Sequence, residues 1–445
     1  MKIFNTLSNQ IETFTPIEEG KVKMYVCGPT VYNHAHIGNA RPIVIFDTFR
    51  RLLEAQGYKV SYVSNFTDVD DKIIAGAKAE GMKETEFTKK YIEAYLKVRE
   101  DLHTLKLTST PKVTETMDAI IAFIQQMIDD GYAYIIDGDV YFSVGKIPDY
   151  GKLSKQKLED LQVGARIDEN DKKADPLDFV LWKKTDEGIQ WDAPWGKGRP
   201  GWHTECVVMI NNEFKHTPID IHGGGMDLRF PHHENEMAQE EAVHHDHLAN
   251  YWMHNGMLVF DGEKMSKSLG NVVLAKDVIE RLGSNVTRWL LNSAHYRAPL
   301  KFNEEAIEQA QTEVVRILSS LRQAQVKLAL ATNIKVSQVS HTEFKKDFLE
   351  AMNDDLNTPN GYKVVFDVVK QLNTEIRARD ISYDRVAELI EALEWMLGIL
   401  GIEVEKVVLS DDDRALYAKW QKAKAEKDFA AADSYRSELA KRDLL

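Results

Sequence analysis

Between Val22 and Val63 the chain reads strand, turn, helix, strand, and few folds accept that order. An apolar run, Val22 to Cys27, leads to His36-Ile37-Gly38-Asn39. A helical pattern then opens near Ala40 and covers Pro42 to Glu54, and Val60–Val63 reads as the next strand. Strand–helix–strand order with short connections predicts a parallel sheet of the Rossmann type. A strand feeding a Gly-bearing turn and a helix N-terminus also aims backbone N–H groups and a dipole at an anion.

Further along, helical patterns cover Glu84–Leu105 and Val113–Asp130. Tyr132–Ile136 and Val140–Val144 flank Asp137-Gly138-Asp139, a hairpin signal. From Gly145 to Asp178 the chain reads as a solvated loop with a charged stretch from Asp168 to Lys173. Sheet-like runs resume at Phe179–Trp182, Ile219–His222 and Met257–Phe260, so residues 102–200 read as an insertion between two halves, 1–101 and 201–268, of one α/β domain. After Ser268 the texture is all-helical: Asp277–Ser293, Asn303–Leu330, Glu343–Asn353, Pro359–Arg379 and Ser382–Leu400, with a polar linker at Thr332–Thr342. A helix pair, Arg414–Lys427 and Ala430–Lys441, closes the chain. Phe46, Phe49 and Trp289 read as core.

A second signature, Lys264-Met265-Ser266-Lys267-Ser268, follows the run Met257–Phe260. Two lysines on a Gly- and Ser-bearing loop can close over a triphosphate. Each short string alone is a weak signal; in this order and context they read as one site.

With 445 residues the chain can build a large core in several domains. Its net charge of −14 argues against coating nucleic acid by bulk electrostatics, yet local basic patches leave a specific RNA partner open. No signal peptide and no apolar run of about 20 residues is visible, so the cytoplasm is the expected address and no membrane partner is expected.

Cys27 and Cys206 are the only two cysteines. Pro231 fits a helix start, which puts His232 and Glu236 four apart on one face. An exposed helix pair would give the same spacing. Adding both cysteines makes a Cys₂-His-Glu set, which suits zinc in donor type and number and favours the metal. The rival run, Glu241 with His244, His245, Asp246 and His247, has no thiolate and reads as a solvated helix end.

The two signatures resemble the H-I-G-H and K-M-S-K-S strings of class I aminoacyl-tRNA synthetases, and the match narrows to the cysteinyl-tRNA synthetase family. It is carried by Cys27-Gly28-Pro29-Thr30-Val31-Tyr32, by Asn65 to Lys72, by Trp191–Cys206, by Gly223–Glu236 and by Asn353-Asp354-Asp355-Leu356-Asn357-Thr358-Pro359. The resemblance implies ATP-dependent activation of L-cysteine, with Mg²⁺, and transfer to the 3′ end of tRNA(Cys). It implies one zinc on Cys27, Cys206, His232 and Glu236 that takes the substrate sulfur. Gly28, Thr67 and Trp202 would help line the amino-acid pocket. His36, Gly38, Gly225, Asp227 and Lys267 would bind ATP, with His36, Asn39, Lys264 and Lys267 serving catalysis.

On the same resemblance, residues 269–312 would be a stem-contact segment, 313–402 a tRNA-binding bundle and 403–445 an anticodon-binding element; a monomer is expected. Asn39 departs from the family's last His: an amide can donate a hydrogen bond but carries no charge, and activity is expected to survive. The stop at Leu445 shortens the family's C-terminal tail and bears on anticodon reading more than on catalysis. Two other functions share parts of this pattern. A ligase joining cysteine to an amino-sugar in mycothiol synthesis lacks a far C-terminal unit, against which the pair Arg414–Lys441 speaks. A non-catalytic RNA-binding paralogue would not need His36, Lys264, Lys267 and all four ligands.

Overall fold

The computed structural model describes residues 1–156, 173–215, 218–260, 263–264, 272–331, 342–442 and 444. They form two compact units. One comprises Met1–Arg281 with Tyr296–Lys301, the other Leu282–His295 with Phe302–Leu445.

The first unit is built on four parallel strands: β1 (Lys21–Val26), β2 (Lys59–Val63), β3 (Ile219–Gly225) and β4 (Ala249–Asn255), in the order β4-β3-β1-β2. The helix α1 (Ile37–Ala55) makes the crossover from β1 to β2. From β1 the chain first builds outward to β2 and later returns to add β3 and β4 on the other side. The crevice beyond the carboxyl ends of β1 and β3 is therefore a topological switch point, where open parallel sheets bind ligands. Cys27 follows β1 there, and its N–H donates to the Gly223 carbonyl at 3.2 Å.

Expected strands and helices form, with instructive differences. α1 starts at Ile37, ahead of the expected Ala40, because His36 and Asn39 make a capping box: Asn39 N–H donates to His36 Nδ1, and His36 N–H to Asn39 Oδ1. Histidine is an unusual cap, so periodicity alone missed this turn. Met257–Phe260 is not part of the main sheet. Its core, Leu258–Phe260, pairs with Glu263–Lys264 and Leu300–Lys301, while β4 supplies the parallel strand. The sequence of β4, Ala-Asn-Tyr-Trp-Met-His-Asn, hides a buried strand behind polar residues.

The insertion adds an antiparallel sheet of Ala133–Ile136, Asp139–Phe142, Phe179–Lys184 and Gly198–Pro200. Its hairpin turns on Asp137 and Gly138, both with positive φ, as a two-residue type I′ loop requires. The expected solvated loop is partly wrong: Tyr150, Leu153 and Ser154 are buried. The charged stretch from Asp168 to Lys172 and most of the Thr332–Thr342 linker lie outside the described residues.

With α2 (Glu205–Phe214) and α3 (Glu234–His244), the first unit also carries Asp71–Glu80, Glu84–Asp101, Met117–Asp129 and Ala275–Leu282. The expected helix Asp277–Ser293 is broken at Gly283, φ +77°, where the second unit begins. That unit is helical: α4 (Ser284–Leu291), α5 (Glu304–Leu330), α6 (Thr342–Met352), α7 (Thr358–Glu375), α8 (Tyr383–Leu400), α9 (Asp411–Ala425) and α10 (Phe429–Lys441). Phe46, Phe49 and Trp289 are fully buried, as expected. Trp289 stacks on Tyr362 with ring centroids 3.5 Å apart.

α8 ends at Gly401, φ +70°, against the buried Arg288, whose Nε donates to the Leu400 carbonyl at 3.0 Å. A methyl group there would fall 2.1 Å from the Arg288 guanidinium. Gly401→Ala should therefore lower the melting temperature of the helical unit. The left-handed conformation alone costs about 1–2 kcal/mol for a residue with a Cβ, and the displaced guanidinium adds to it. Thermal unfolding of the purified variant is the check, and an unchanged midpoint would contradict the packing described.

Candidate active site and metal centre

A cavity of about 330 Å³ opens at the switch point. β1 delivers Cys27 and Gly28 to its wall, the start of α1 delivers His36, Gly38 and Asn39, and the end of β3 delivers Gly225 and Asp227. Trp202 and Leu258 close other sides. Pro42 also lines the cavity. It has no N–H to donate to the Gly38 carbonyl, so that helix bond is absent.

The flanks of the second signature converge here. Leu258 lines the cavity, and Ile37 N–H donates to the Val273 carbonyl at 2.8 Å, beside a bridge between His36 and Leu274. Lys264 lies in a short strand with Glu263. Lys267, with the rest of 265–268, lies outside the described residues. Thr67 is not on the cavity wall. It is buried behind it, its backbone paired with Pro29 and Val31, and its hydroxyl donates to Glu205 at 2.7 Å. Gly28 has no room for a side chain, since a Cβ would lie 1.7 Å from the Asn65 carbonyl oxygen.

Behind Cys27, which lines the cavity, the four expected ligands meet although they come from three separate stretches of chain. The Sγ atoms of Cys27 and Cys206 are 3.7 Å apart, Cys27 Sγ is 3.6 Å from Glu236 Oε1, and His232 Nε2 is 2.8 Å from that same oxygen. A tetrahedral zinc with ordinary bond lengths would set sulfur–sulfur and sulfur–oxygen edges near about 3.8 and 3.6 Å, and a nitrogen–oxygen edge near about 3.3 Å. Two edges fit, and the third is drawn in by a hydrogen bond that a metal would replace. The donor set fits the ion.

Electrostatics agree. Cys206 sits in the first turn of α2, where the dipole favours a thiolate. The Cys27 thiol donating to it holds it down at about 6 against burial. Cys27 is pushed up by burial and by Cys206. Burial would neutralise both His232 and Glu236, but each holds the other charged: His232 is raised to about 10 and Glu236 falls well below the usual carboxylate range.

The sequence reading missed the imidazoles behind these ligands. His222 Nε2 lies 2.6 Å from Glu236 Oε2, His203 Nδ1 lies 3.1 Å from His232 Nδ1, and His233 Nε2 lies 3.3 Å from Cys27 Sγ. Trp202 stacks on His232 at 4.3 Å. Such partners orient ligands and set their tautomers. A second donor set, Cys27, His222, His233 and Glu236, overlaps the first. Among the described residues no metal-holding group forms at Glu241 and His244 to His247. There His244 pairs with Glu240, and His247 with Asp246.

The remaining polar residues of the His232–Glu236 stretch tie the insertion to the site. Buried Glu234 accepts N–H bonds from Gly151, Leu153 and Ser154 at 2.7–3.2 Å, and Tyr150 donates to Asn235 at 2.5 Å. This network is why residues 150–154 are buried, and no local pattern announces it.

Comparison with known proteins follows this geometry. In fold the chain is similar to class I aminoacyl-tRNA synthetases. Methionyl-tRNA synthetase of Mycobacterium tuberculosis, solved with methionyl-adenylate, superposes with a TM-score of 0.65 at 13% identity over 93% of this chain and 96% of that one. A putative arginyl-tRNA synthetase from Campylobacter jejuni gives 0.59 at 14% identity over 88% and 95%. Residues 13–312 match the catalytic domain of class I (C) tRNA synthetases, and residues 347–405 match the DALR domain. The cysteine–tRNA ligases of Geobacillus thermodenitrificans and Staphylococcus carnosus are each 46% identical over 100% of this chain, covering 96% and 97% of their own lengths. The chain belongs to the class I (C) tRNA synthetases, the family of the cysteine–tRNA ligases, and is a ligase. No helix among the described residues is long and apolar enough to cross a membrane.

Proposed function

We propose that the chain activates L-cysteine with ATP and transfers the cysteinyl group to the 3′ end of tRNA(Cys). The observation that carries the reading is a Cys₂-His-Glu set whose half-buried Cys27 lines a cavity rimmed by His36, Gly38, Asn39, Gly225 and Asp227, with its other three members buried behind it. In the first step a cysteine carboxylate oxygen attacks the α-phosphorus, and the bond to pyrophosphate breaks with its electron pair leaving on pyrophosphate. In the second a ribose hydroxyl of tRNA attacks the carbonyl carbon, its proton passes to a phosphate oxygen of the adenylate, and AMP departs with the bonding pair. Neither step needs a protein nucleophile; positioning and charge stabilisation suffice.

The N-terminal end of α1, with its dipole, suits phosphate oxygens. Because His36 Nδ1 accepts from Asn39 N–H, the ring proton of the neutral imidazole is on Nε2, a donor suited to the same oxygens. Asp227, on the wall beside Gly225, is placed to accept from ribose hydroxyls, and Lys264 and Lys267 carry charge suited to pyrophosphate with Mg²⁺. Trp202 against His232 forms an aromatic wall for the amino acid, with Gly28 and, behind it, Thr67 shaping the floor. Zinc held by Cys27, Cys206, His232 and Glu236 would supply a soft Lewis acid that favours a thiolate over a serine hydroxyl. A packing difference of this size alone gives only on the order of a hundredfold. In the same proposal residues 1–101 and 201–268 are the two catalytic halves, 102–200 the insertion, 269–312 the stem contact, 313–402 the tRNA-binding bundle and 403–445 the anticodon element of a cytoplasmic monomer.

Cysteine-dependent exchange of pyrophosphate into ATP, followed by acylation of total tRNA, tests the reaction. Protein carrying cobalt in place of zinc should gain a sulfur-to-metal charge-transfer band with cysteine and none with serine. A spectrum indifferent to cysteine, with selectivity over serine intact, would assign discrimination to other groups.

A further inference from the structure

A chain of hydrogen bonds leaves the metal centre away from the substrate cavity. Cys27 Sγ lies 3.3 Å from His233 Nε2, His233 Nδ1 lies 2.8 Å from His254 Nε2, and His254 Nδ1 lies 2.9 Å from Thr6 Oγ1. His233, His254 and Thr6 are all buried. Thr6 follows the strand Lys2–Asn5 and is clamped beside β4. Its N–H donates to the Trp252 carbonyl at 2.9 Å, while Asn5 binds the Asn250 carbonyl and the Trp252 N–H.

We propose that Thr6 is a positioning residue of the metal centre: its hydroxyl donates to His254, His254 donates to His233, and His233 donates to the sulfur of Cys27. The inference rests on the reading that the ion occupies Cys27, Cys206, His232 and Glu236.

Direction is the point at issue. Two buried imidazoles in contact share one proton between their facing nitrogens, and with no carboxylate in this chain of bonds burial keeps both rings neutral. A neutral imidazole has one donor and one acceptor nitrogen, so the direction of one bond dictates the rest. Run one way, the protons sit on Nε2 of both rings and point toward Cys27, and Thr6 must donate. Run the other way, they sit on both Nδ1 atoms, Thr6 accepts, and His233 Nε2 is left as a lone pair for a metal.

The second direction belongs to the overlapping set of Cys27, His222, His233 and Glu236. That set would need a lone pair on His222 Nε2. In the first set the metal-bound Cys27 is a thiolate with no proton, so its 3.3 Å contact with His233 Nε2 is a hydrogen bond only if the ring donates, whereas the second set would give up His222 as a donor to Glu236. It would also leave Cys206 and His232 buried and unused. With the first direction each consumer is matched: His222 N–H serves Glu236, His232 Nδ1–H serves His203, and His233 N–H serves Cys27. The tautomers therefore choose between two overlapping sites, and Thr6 is the terminal donor that sets them.

Nitrogen-15 NMR of histidine-labelled, zinc-loaded protein reads the tautomers directly. Both His233 and His254 should carry the proton on Nε2, and a proton on Nδ1 of either would overturn the proposal. In competition with a chelator, Thr6→Val should bind zinc about 10–100-fold more weakly, the usual cost of an outer-shell partner, while Thr6→Ser should keep wild-type affinity. Wild-type affinity in a folded Thr6→Val would overturn the proposal. If that variant does not fold, the wild-type tautomers still decide. Wild-type protein without one zinc per chain would overturn the metal reading itself, whereas zinc present with reversed tautomers would overturn only the role of Thr6.

Discussion

Cys206→Ser should lose its zinc and, with it, cysteine activation. Cys206 is one of only two thiols in the chain, is buried, and stands 3.7 Å from the other. A serine hydroxyl there is a hard, weakly ionised oxygen that a soft ion takes poorly. Outer-shell partners alone are worth about 10–100-fold in metal affinity, so loss of a direct ligand should exceed about a hundredfold. The variant should fold, because one atom changes at the start of α2 and the packing of Val207, Val208 and Ile210 behind it is kept. Elemental analysis and pyrophosphate exchange on the same preparation make the test. A full complement of zinc in Cys206→Ser would remove this residue from the metal set.

The second large effect is expected at His36. Replacing it with alanine removes a donor from the phosphate side of the cavity and the cap of α1 together, and the two losses can be separated. A missing cap costs about 1 kcal/mol of stability. A missing donor to charge that develops in the transition state costs about 10²–10³-fold in rate. Asn39→Ala breaks the same capping box while keeping the imidazole. His36→Ala should therefore slow pyrophosphate exchange far more than Asn39→Ala, with zinc content unchanged in both. Equal losses in the two variants would mean that His36 acts only as a cap. The same pair explains why asparagine is at home at position 39: its Oδ1 accepts the His36 N–H that would otherwise be unmatched at the helix start.

The stretch that carries the candidate donors also binds the insertion. Glu234, Asn235 and Glu236 are consecutive, yet one belongs to the candidate donor set and two hold residues 150–154. The charge of Glu234 is satisfied by three backbone N–H groups, which is how an unpaired carboxylate is kept inside a protein.

The strand–helix–strand start, the Asp137-Gly138 hairpin and the helical second unit follow from local rules: period 2 or 3.6, turn chemistry and caps act over a few residues, so they are written in the sequence. The candidate donor set was legible for a different reason. Thiols are scarce here, and His232 and Glu236 are four apart on one helical face, so donor type and spacing sufficed. The tertiary structure alone decided what stands behind them. His203, His222, His233 and His254 lie on different elements, and the bond that ends their chain joins residues 248 apart in sequence. The same holds for β4, whose polar residues are buried because they serve the site, and for Asn39, whose role depends on the backbone turn at His36. Burial turns such contacts into requirements, since a polar atom without water must find its partner wherever the fold has placed one.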